Sequence, residues 1–340
     1  MREPGAVRYR LHLESQRRQK AAFHLDAAAW HLAADRHPQL ADHVEVTFGW
    51  DGERFAQPLD DVDFLLASRF PHAVVNAALR LGWVHTTGAG VDQLLPLDGL
   101  RHDLILTNSS GIHSDKAAEF VQMGLLMLNA QIPAVFSAQR EHHWDARLTR
   151  PIRDKTVLVI GFGDLGLAAC RASRALGLRV IALNRSGRAP AEVAGNLSDL
   201  ADRLAPVTQL DEYLPGADFV VLTAPSTPTT RHILSAERLA GMRPGAGIIN
   251  ISRAALIDYA ALFERLRSGA CGGAILDVFD PEPLLADNMA WDVPGLVITP
   301  HISCDVPDYN QRVLDLWFSN FAKLLGGEPM VNVVDRQLGY

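Results

Sequence analysis

Along this chain, short runs of apolar and β-branched residues alternate with longer stretches whose apolar residues recur at helical spacing. The first series is HVEVTF (43–48), DFLLAS (63–68), WVHTTG (83–88) and LILTNSS (104–110). Residues 114–130, SDKAAEFVQMGLLMLNA, are rich in strong helix formers, contain no proline, and predict a helix, with Pro133 just beyond it. A second series follows: TVLVIGF (156–162), RVIALN (179–184), ADFVVLTA (217–224), AGIINIS (246–252), CGGAILDVF (271–279) and LVITP (296–300). These runs are almost uniformly apolar, as strands buried on both faces of a parallel sheet are. A last helical pattern covers roughly 307–325. Alternation of this kind predicts the α/β class with helices on the faces of parallel sheets.

The chain has 340 residues, of which 48% are apolar, so there is material for two cores and two domains are expected. A net charge of −7 argues against the broad basic face that nucleic acid requires. Cys170, Cys271 and Cys304 are an odd number, widely spaced, with no C-x-x-C, so neither a disulfide framework nor a metal site is indicated. That usage fits a reducing cytoplasm. The opening MREPGAVRYRLHLESQ has no long apolar core and no later run approaches a membrane span, so a soluble protein with a frayed first few residues is expected.

VLVIGFGDLG sets Gly161, Gly163 and Gly166 in the G-x-G-x-x-G spacing, after a strand and before the helix-like DLGLAACRASRALG. Glycines there permit a tight turn, close approach of backbone amides to a pyrophosphate, and close packing of helix on strand. The helix N-terminus supplies unpaired N–H groups to the anion, so Phe162, Asp164 and Leu165 are assigned to the same cofactor-binding turn. A bare glycine triplet also arises in ordinary turns; the flanking strand and helix are what make it a dinucleotide site.

The next strand runs into VIALNRSGR (180–188). An NAD-binding unit places an acid at its end to accept hydrogen bonds from the ribose 2′-OH, and Asn184 stands there instead. A carboxylate would repel a 2′-phosphate, whereas Arg185 can pair with one and Ser186 and Arg188 can add donors. NADP(H) is therefore the preferred cofactor, with NAD(H) as the alternative; the bland reading makes Arg185 and Arg188 exposed loop cations.

Six segments in order carry a resemblance: TTGAGVD (86–92), LTNSSGIHSDKAAEF (106–120), LTAPSTPTTRHIL (222–234), INISRAALID (249–258), ILDVFDPEPL (275–284) and ITPHIS (298–303). On them the chain resembles the D-isomer-specific 2-hydroxyacid dehydrogenase family, in particular its NADPH-dependent glyoxylate/hydroxypyruvate reductase branch. The match runs from about residue 84 to the C-terminus, and the first eighty or so residues match less distinctly. The resemblance implies two doubly wound Rossmann-like domains with the active site in the cleft between them. A flavodoxin-like substrate domain would comprise residues 1–112 and 302–340, and a dinucleotide-binding domain residues 113–301. The chain would cross twice, near 114–130 and 307–325, allowing hinge closure. A homodimer is implied as well.

Reducing a 2-oxo acid needs a grip on the carboxylate, a hydride donor at the carbonyl carbon, and an acid for the forming alkoxide. Arg253, after a buried strand, offers a planar fork of donors for carboxylate and ketone oxygen. His301 follows a strand where open α/β sheets place ligands, and suits the acid. By resemblance Glu282 is the carboxylate that keeps it charged, in preference to Asp280 in the same loop. The twelve other histidines show how little residue type says alone. The amides of Ala89 and Gly90 suit the substrate carboxylate. By resemblance Ala224, Pro225, Thr230, Ile251 and Ser252 line the cofactor, and Asp277 faces the nicotinamide carboxamide, with capping of the turn DPEP as its alternative role. Ala254 replaces the family's usual glycine, which puts only the local backbone in question. Asp92 reads as a helix cap. His142 and His143 diverge on a helix and have no further ligand spacing, and Trp144 reads as a packing residue or as one reaching the other subunit's active site.

The function expected is NADPH-dependent reduction of a small 2-oxo acid, glyoxylate or hydroxypyruvate first, to the D-2-hydroxy acid. Formate or phosphite oxidation on the same fold is the competing enzyme reading, ranked lower because the formate branch has an amide where this chain has Glu282. A dinucleotide-sensing corepressor is the reading from another class, ranked lowest because no partner-binding extension is evident.

Overall fold

The computed structural model describes residues 8–191 and 193–339. Two compact units meet along the chain between Ile112 and His113 and again between Asp305 and Val306.

In the first unit, β1 (Tyr9–Ser15), β2 (Val44–Trp50), β3 (Phe64–Leu66), β4 (Trp83–His85) and β5 (Ile105–Thr107) form a five-stranded parallel sheet in the order β2-β1-β3-β4-β5, the flavodoxin-like order. Sequence pattern does not reveal β1, because YRLHLES mixes charge with its leucines. Within the sheet His12, Glu14 and Ser15 are nonetheless buried: Glu14 accepts from His12 Nε2 at 2.9 Å and from the Gly52 amide at 2.7 Å. Leu11 and Leu13 share a buried core with Val313, Trp317, Phe318 and Phe321 of the helix Tyr309–Leu325. Trp317 stacks on Trp83 with ring centroids 5.3 Å apart, joining the last helix of the chain to the sheet.

In the second unit, β6 (Thr156–Ile160), β7 (Arg179–Asn184), β8 (Arg203–Pro206), β9 (Phe219–Leu222), β10 (Gly247–Asn250), β11 (Gly273–Leu276) and β12 (Leu296–Ile298) form a seven-stranded parallel sheet in the order β12-β11-β10-β9-β6-β7-β8. The order reverses at β6, which lies between β9 and β7, and such a switch point opens a crevice at the carboxyl ends of the strands. The edge strand β8 escapes sequence pattern too: RLAP is short, begins on a charge and ends on a proline, which only an edge tolerates well.

The helix Ser114–Asn129 buries Ala117, Phe120, Val121, Gly124, Leu125 and Leu128, one face at helical spacing, in the core that includes Ile249 and Ile275. Pro133 does not mark a stop after it. Gln131 turns the chain with φ 55°, and Pro133 sits in the first turn of a second helix, Ile132–Arg140, where its missing N–H costs nothing. No single helix among the described residues is long and apolar enough to cross a membrane.

Candidate active site

The glycine turn leaves β6 at the switch point. Gly161 has φ +112°, and a Cβ there would lie 2.6 Å from the Ala224 nitrogen, so both conformation and space demand glycine. A Cβ on Gly166 would strike the Gly161 carbonyl, so its role is the close packing of helix on turn. Gly163 differs: a Cβ there meets nothing within 4 Å. Gly163 is exposed at the N-cap of the helix Asp164–Ala175, and no side chain caps that end. The first amides of the helix are left for an external anion, which is how the residues present fit a dinucleotide's pyrophosphate. Phe162 is buried in the core beneath, so only its backbone faces the turn, while Asp164 and Leu165 begin the helix.

At the end of β7 the side chain of Asn184 is consumed locally. Its Oδ1 accepts from the Gly187 amide at 2.6 Å and its Nδ2 donates to the Arg188 carbonyl at 2.8 Å. Asn184 thus shapes the 184–188 turn, in which Gly187 has φ +69° and a Cβ would press on Pro206. Ser186 Oγ accepts from the Arg188 amide at 3.2 Å, and Arg185 and Arg188 are exposed. The turn offers two cations and no acid.

The loops after β9 and β10 are tied together, since Ser252 Oγ donates to the Ala224 carbonyl. Ala224 and Ile251 are buried in the two cores flanking the sheet and offer walls or backbone only. Thr230 Oγ1 donates to the Pro225 carbonyl at 2.7 Å and accepts from the Thr227 amide at 2.8 Å, closing the PSTPTT loop on itself. Asn250, fully buried at the end of β10, accepts from Ser252 N at 3.1 Å and donates to the Arg253 carbonyl at 2.9 Å, and so holds the turn that presents Arg253. Arg253 is half-buried, with Nη1 donating to the Ser252 carbonyl at 2.8 Å. Ala254 opens a short 3-10 turn and is not among the residues with positive φ, so the expected glycine is dispensable there.

His301 and Glu282 come together as expected: Nδ1 lies 2.8 Å from Oε2, and Glu282 Oε1 accepts from the Phe279 amide at 2.8 Å. The Glu282 hydrogen bond and charge, helped by Asp277, raise the His301 pKa above the ordinary imidazole value against opposition from burial and Arg253. For Glu282, partial burial works upward, but hydrogen bonds from His301 and the Phe279 amide, with the charges of His301 and Arg253, outweigh it and hold the carboxyl below its ordinary value. His301 Nε2 has no hydrogen-bond partner among the described residues. A proton on Nε2 is thus available to a ligand.

The backbone of His301 is in the left-handed region, φ 53°, which costs a non-glycine residue on the order of 1 kcal/mol. Asp277 holds it there. Fully buried, Asp277 accepts from Thr299 Oγ1 at 2.5 Å and from the amides of Ile302 and Ser303 at 2.9 Å each, bracketing His301 on both sides. Its carboxylate engages this loop and not the DPEP turn that follows it in sequence. Thr299 and Asn250 were not singled out from sequence, although an Asn at a strand end is a ready side-chain turn former.

In the first unit, buried Thr86 follows β4 and leads into the half-exposed residues 87–90; the Gly90 carbonyl accepts from Gln93 Nε2 at 3.4 Å, and three more carbonyls are anchored. The Thr86 carbonyl accepts from Ser109 Oγ at 2.8 Å, that of Thr87 from Tyr309 Oη at 2.8 Å, and that of Gly88 from Thr86 Oγ1 at 3.0 Å and Ser109 N at 3.1 Å. In a trans peptide the N–H opposes the C=O, so inward carbonyls on Thr87 and Gly88 turn the amides of Gly88 and Ala89 away from the body. Among the described residues the amides of Gly88, Ala89 and Gly90 have no hydrogen-bond acceptor. Asp92 is not the cap of the following 3-10 turn; Val91 is, and Asp92 is its first residue. Trp144 is not packed: it is 93% exposed.

A profile of the D-isomer specific 2-hydroxyacid dehydrogenase NAD binding domain matches residues 122–303. D-3-phosphoglycerate dehydrogenase of Methanocaldococcus jannaschii is 30% identical over 86% of this chain, which spans only 55% of that relative's length. Glyoxylate reductase of Thermococcus kodakarensis is 28% identical over 88% of this chain and 92% of its own. The solved structure of an NADPH-dependent glyoxylate/hydroxypyruvate reductase from Sinorhizobium meliloti, in complex with NADP and sulfate, is similar with a TM-score of 0.78 at 26% identity, covering 98% of this chain and 100% of that one. A glycine turn at the switch point, a hydrogen-bonded histidine–glutamate pair and these similarities lead to one assignment: the chain belongs to the D-isomer specific 2-hydroxyacid dehydrogenase family and is a dehydrogenase that uses a nicotinamide dinucleotide.

Proposed function

We propose that this protein reduces a small 2-oxo acid, of glyoxylate or hydroxypyruvate size, to the D-2-hydroxy acid at the expense of NADPH. The observation that carries the reading is the His301–Glu282 pair, an imidazole whose pKa is raised by a carboxylate at Nδ1, with Nε2 left for the substrate. When bound, the reduced nicotinamide supplies the hydride to the carbonyl carbon. His301 gives its Nε2 proton to the alkoxide oxygen as negative charge develops there, and Glu282 stabilises the imidazolium until that moment. Arg253 binds the carboxylate and polarises the ketone. The loop amides, Ala89 with Gly88 or Gly90, complete the grip on the carboxylate.

NADPH is favoured over NADH by the turn at 184–188, which has Asn184 in place of an acid and the exposed cations Arg185 and Arg188. The Sinorhizobium meliloti relative holds NADP. In this reading the first unit handles the substrate and the second the dinucleotide. A homodimer is part of the proposal: Phe136, Trp144 and Leu148 are 43%, 93% and 100% exposed, more apolar surface than one short segment usually leaves in water. Formate oxidation yields no alkoxide to protonate, so the charged acid Glu282–His301 speaks against it.

The test is NADPH consumption with a panel of 2-oxo acids of increasing side chain, alongside formate with NADP. Turnover of glyoxylate or hydroxypyruvate is expected. Turnover of formate alone would favour the competing enzyme reading, and no turnover of any of them would end the proposal.

A further inference from the structure

Beneath the 86–90 loop lies a buried polar chain. Trp83 Nε1 donates to Thr107 Oγ1 at 2.8 Å; Thr107 Oγ1 lies 2.7 Å from His85 Nδ1; His85 Nε2 lies 3.0 Å from Ser109 Oγ; and Ser109 Oγ donates to the Thr86 carbonyl at 2.8 Å. All five residues are at most 1% exposed.

Proton counting fixes its direction. Trp83 can only donate and the Thr86 carbonyl can only accept, while each hydroxyl has one hydrogen. Ser109 has committed its hydrogen to Thr86, so it can only accept from His85, which must carry its proton on Nε2. Thr107 then donates its single hydrogen to an unprotonated Nδ1. The Nδ1–H tautomer would leave Nε2 without a donor and the Thr107 hydrogen without an acceptor. Burial also pushes the His85 pKa down to about 3, so the ring stays neutral.

We propose that His85 is a positioning residue for substrate binding: it acts through Ser109, whose hydroxyl holds the Thr86 carbonyl and whose amide holds the Gly88 carbonyl, and so fixes the loop that aims the Gly88 and Ala89 amides at the substrate carboxylate. This rests on the reading above in which those amides hold that carboxylate. β4 delivers His85 and β5 delivers Thr107, paired directly across the sheet with it, so the rigid sheet sets the position of a flexible loop. A fully satisfied buried network of this kind specifies one arrangement, because breaking any link leaves an unpaired group behind.

The experiment compares Ser109→Ala, His85→Leu, His85→Gln and Ala89→Pro in the full chain, reading KM for glyoxylate, inhibition by oxalate, kcat and the NADPH Kd. Ser109→Ala is expected to raise KM and the oxalate inhibition constant about 3- to 10-fold, the worth of one hydrogen bond, with kcat and NADPH Kd unchanged. His85→Leu should go further in the same direction, and His85→Gln should recover part of the loss, since its amide can still donate to Ser109. Ala89→Pro removes one loop amide and spends no hydrogen bond of the protein. If Ala89→Pro raises KM while Ser109→Ala and His85→Leu do not, the positioning role is overturned and the loop reading stands. If Ala89→Pro leaves KM unchanged, the loop reading falls and this inference with it. Parallel losses in NADPH affinity would assign His85 a general structural role and overturn the proposal. Imidazole 15N shifts give a readout independent of turnover: a neutral Nε2–H form that does not titrate around neutral pH is expected, and an imidazolium or Nδ1–H form would overturn it.

Discussion

His301 Nδ1 stands 2.8 Å from Glu282 Oε2, and this contact sets the protonation state of the group proposed to complete the reaction. Because the His301 pKa is raised, the imidazolium persists to higher pH than an ordinary imidazolium does, and kcat/KM for reduction falls as pH rises through that raised value. Glu282→Gln removes the charge and the acceptor that raise it. The alkaline limb of the reduction profile should then move to lower pH, and in the oxidation direction, which needs neutral His301, activity should begin at lower pH. Rate profiles in both directions check this; limbs that stay in place would separate Glu282 from the proton transfer.

Asp277 should matter through geometry. Asp277→Asn keeps one acceptor oxygen and places an N–H donor against one of the two backbone amides, which also donates, costing about 1–3 kcal/mol of stability. It also frees the strained backbone of His301. A lower urea midpoint together with a fall in kcat is expected, and a variant with a normal midpoint and normal kcat would remove Asp277 from this role.

The three glycines of the nucleotide turn should separate by experiment. Gly166→Ala drives a methyl into the Gly161 carbonyl and should cost about 1–3 kcal/mol of stability as well as cofactor affinity. Gly163→Ala has open space on the protein side and should cost about 1 kcal/mol or less, yet lose NADPH affinity about tenfold or more. Thermal melting paired with NADPH titration distinguishes the two, and unchanged affinity in Gly163→Ala would take the pyrophosphate away from that turn.

Cofactor choice should respond to the 184–188 turn. Arg185→Asp is expected to weaken NADPH far more than NADH. Asn184→Asp keeps the acceptor for the Gly187 amide, forfeits the donor to Arg188 and adds a charge facing the 2′ position, so preference should move toward NADH. Equal losses for both cofactors in the two variants would contradict the 2′-phosphate assignment.

Much of this architecture is legible in the sequence because buried parallel strands are written as uninterrupted apolar runs, as in VLVI and GAIL. What escapes does so for physical reasons. β1 stays hidden because His12 and Glu14 satisfy each other inside the sheet, so two residues that look solvent-exposed are buried. β8 is hidden by its edge position. In the site, residue types that perform chemistry stand out: Arg253, Glu282 and His301 are recognisable from motif order. Residues that only orient others do not. Asp277 reads as a ligand-facing acid until its three donors from 299–303 are seen, and the direction of the His85 network depends on hydrogen bonds between strands that no spacing reveals.

The role of His301 as proton donor in an NADPH-dependent 2-oxo acid reduction is decided by measuring kcat for glyoxylate and NADPH Kd in His301→Ala beside the parent protein. The parent is expected to turn over, and the variant to lose about 100-fold or more in kcat while its NADPH Kd stays within about twofold. Unchanged turnover in the variant, or a parent that oxidises no NADPH with any 2-oxo acid, would contradict it.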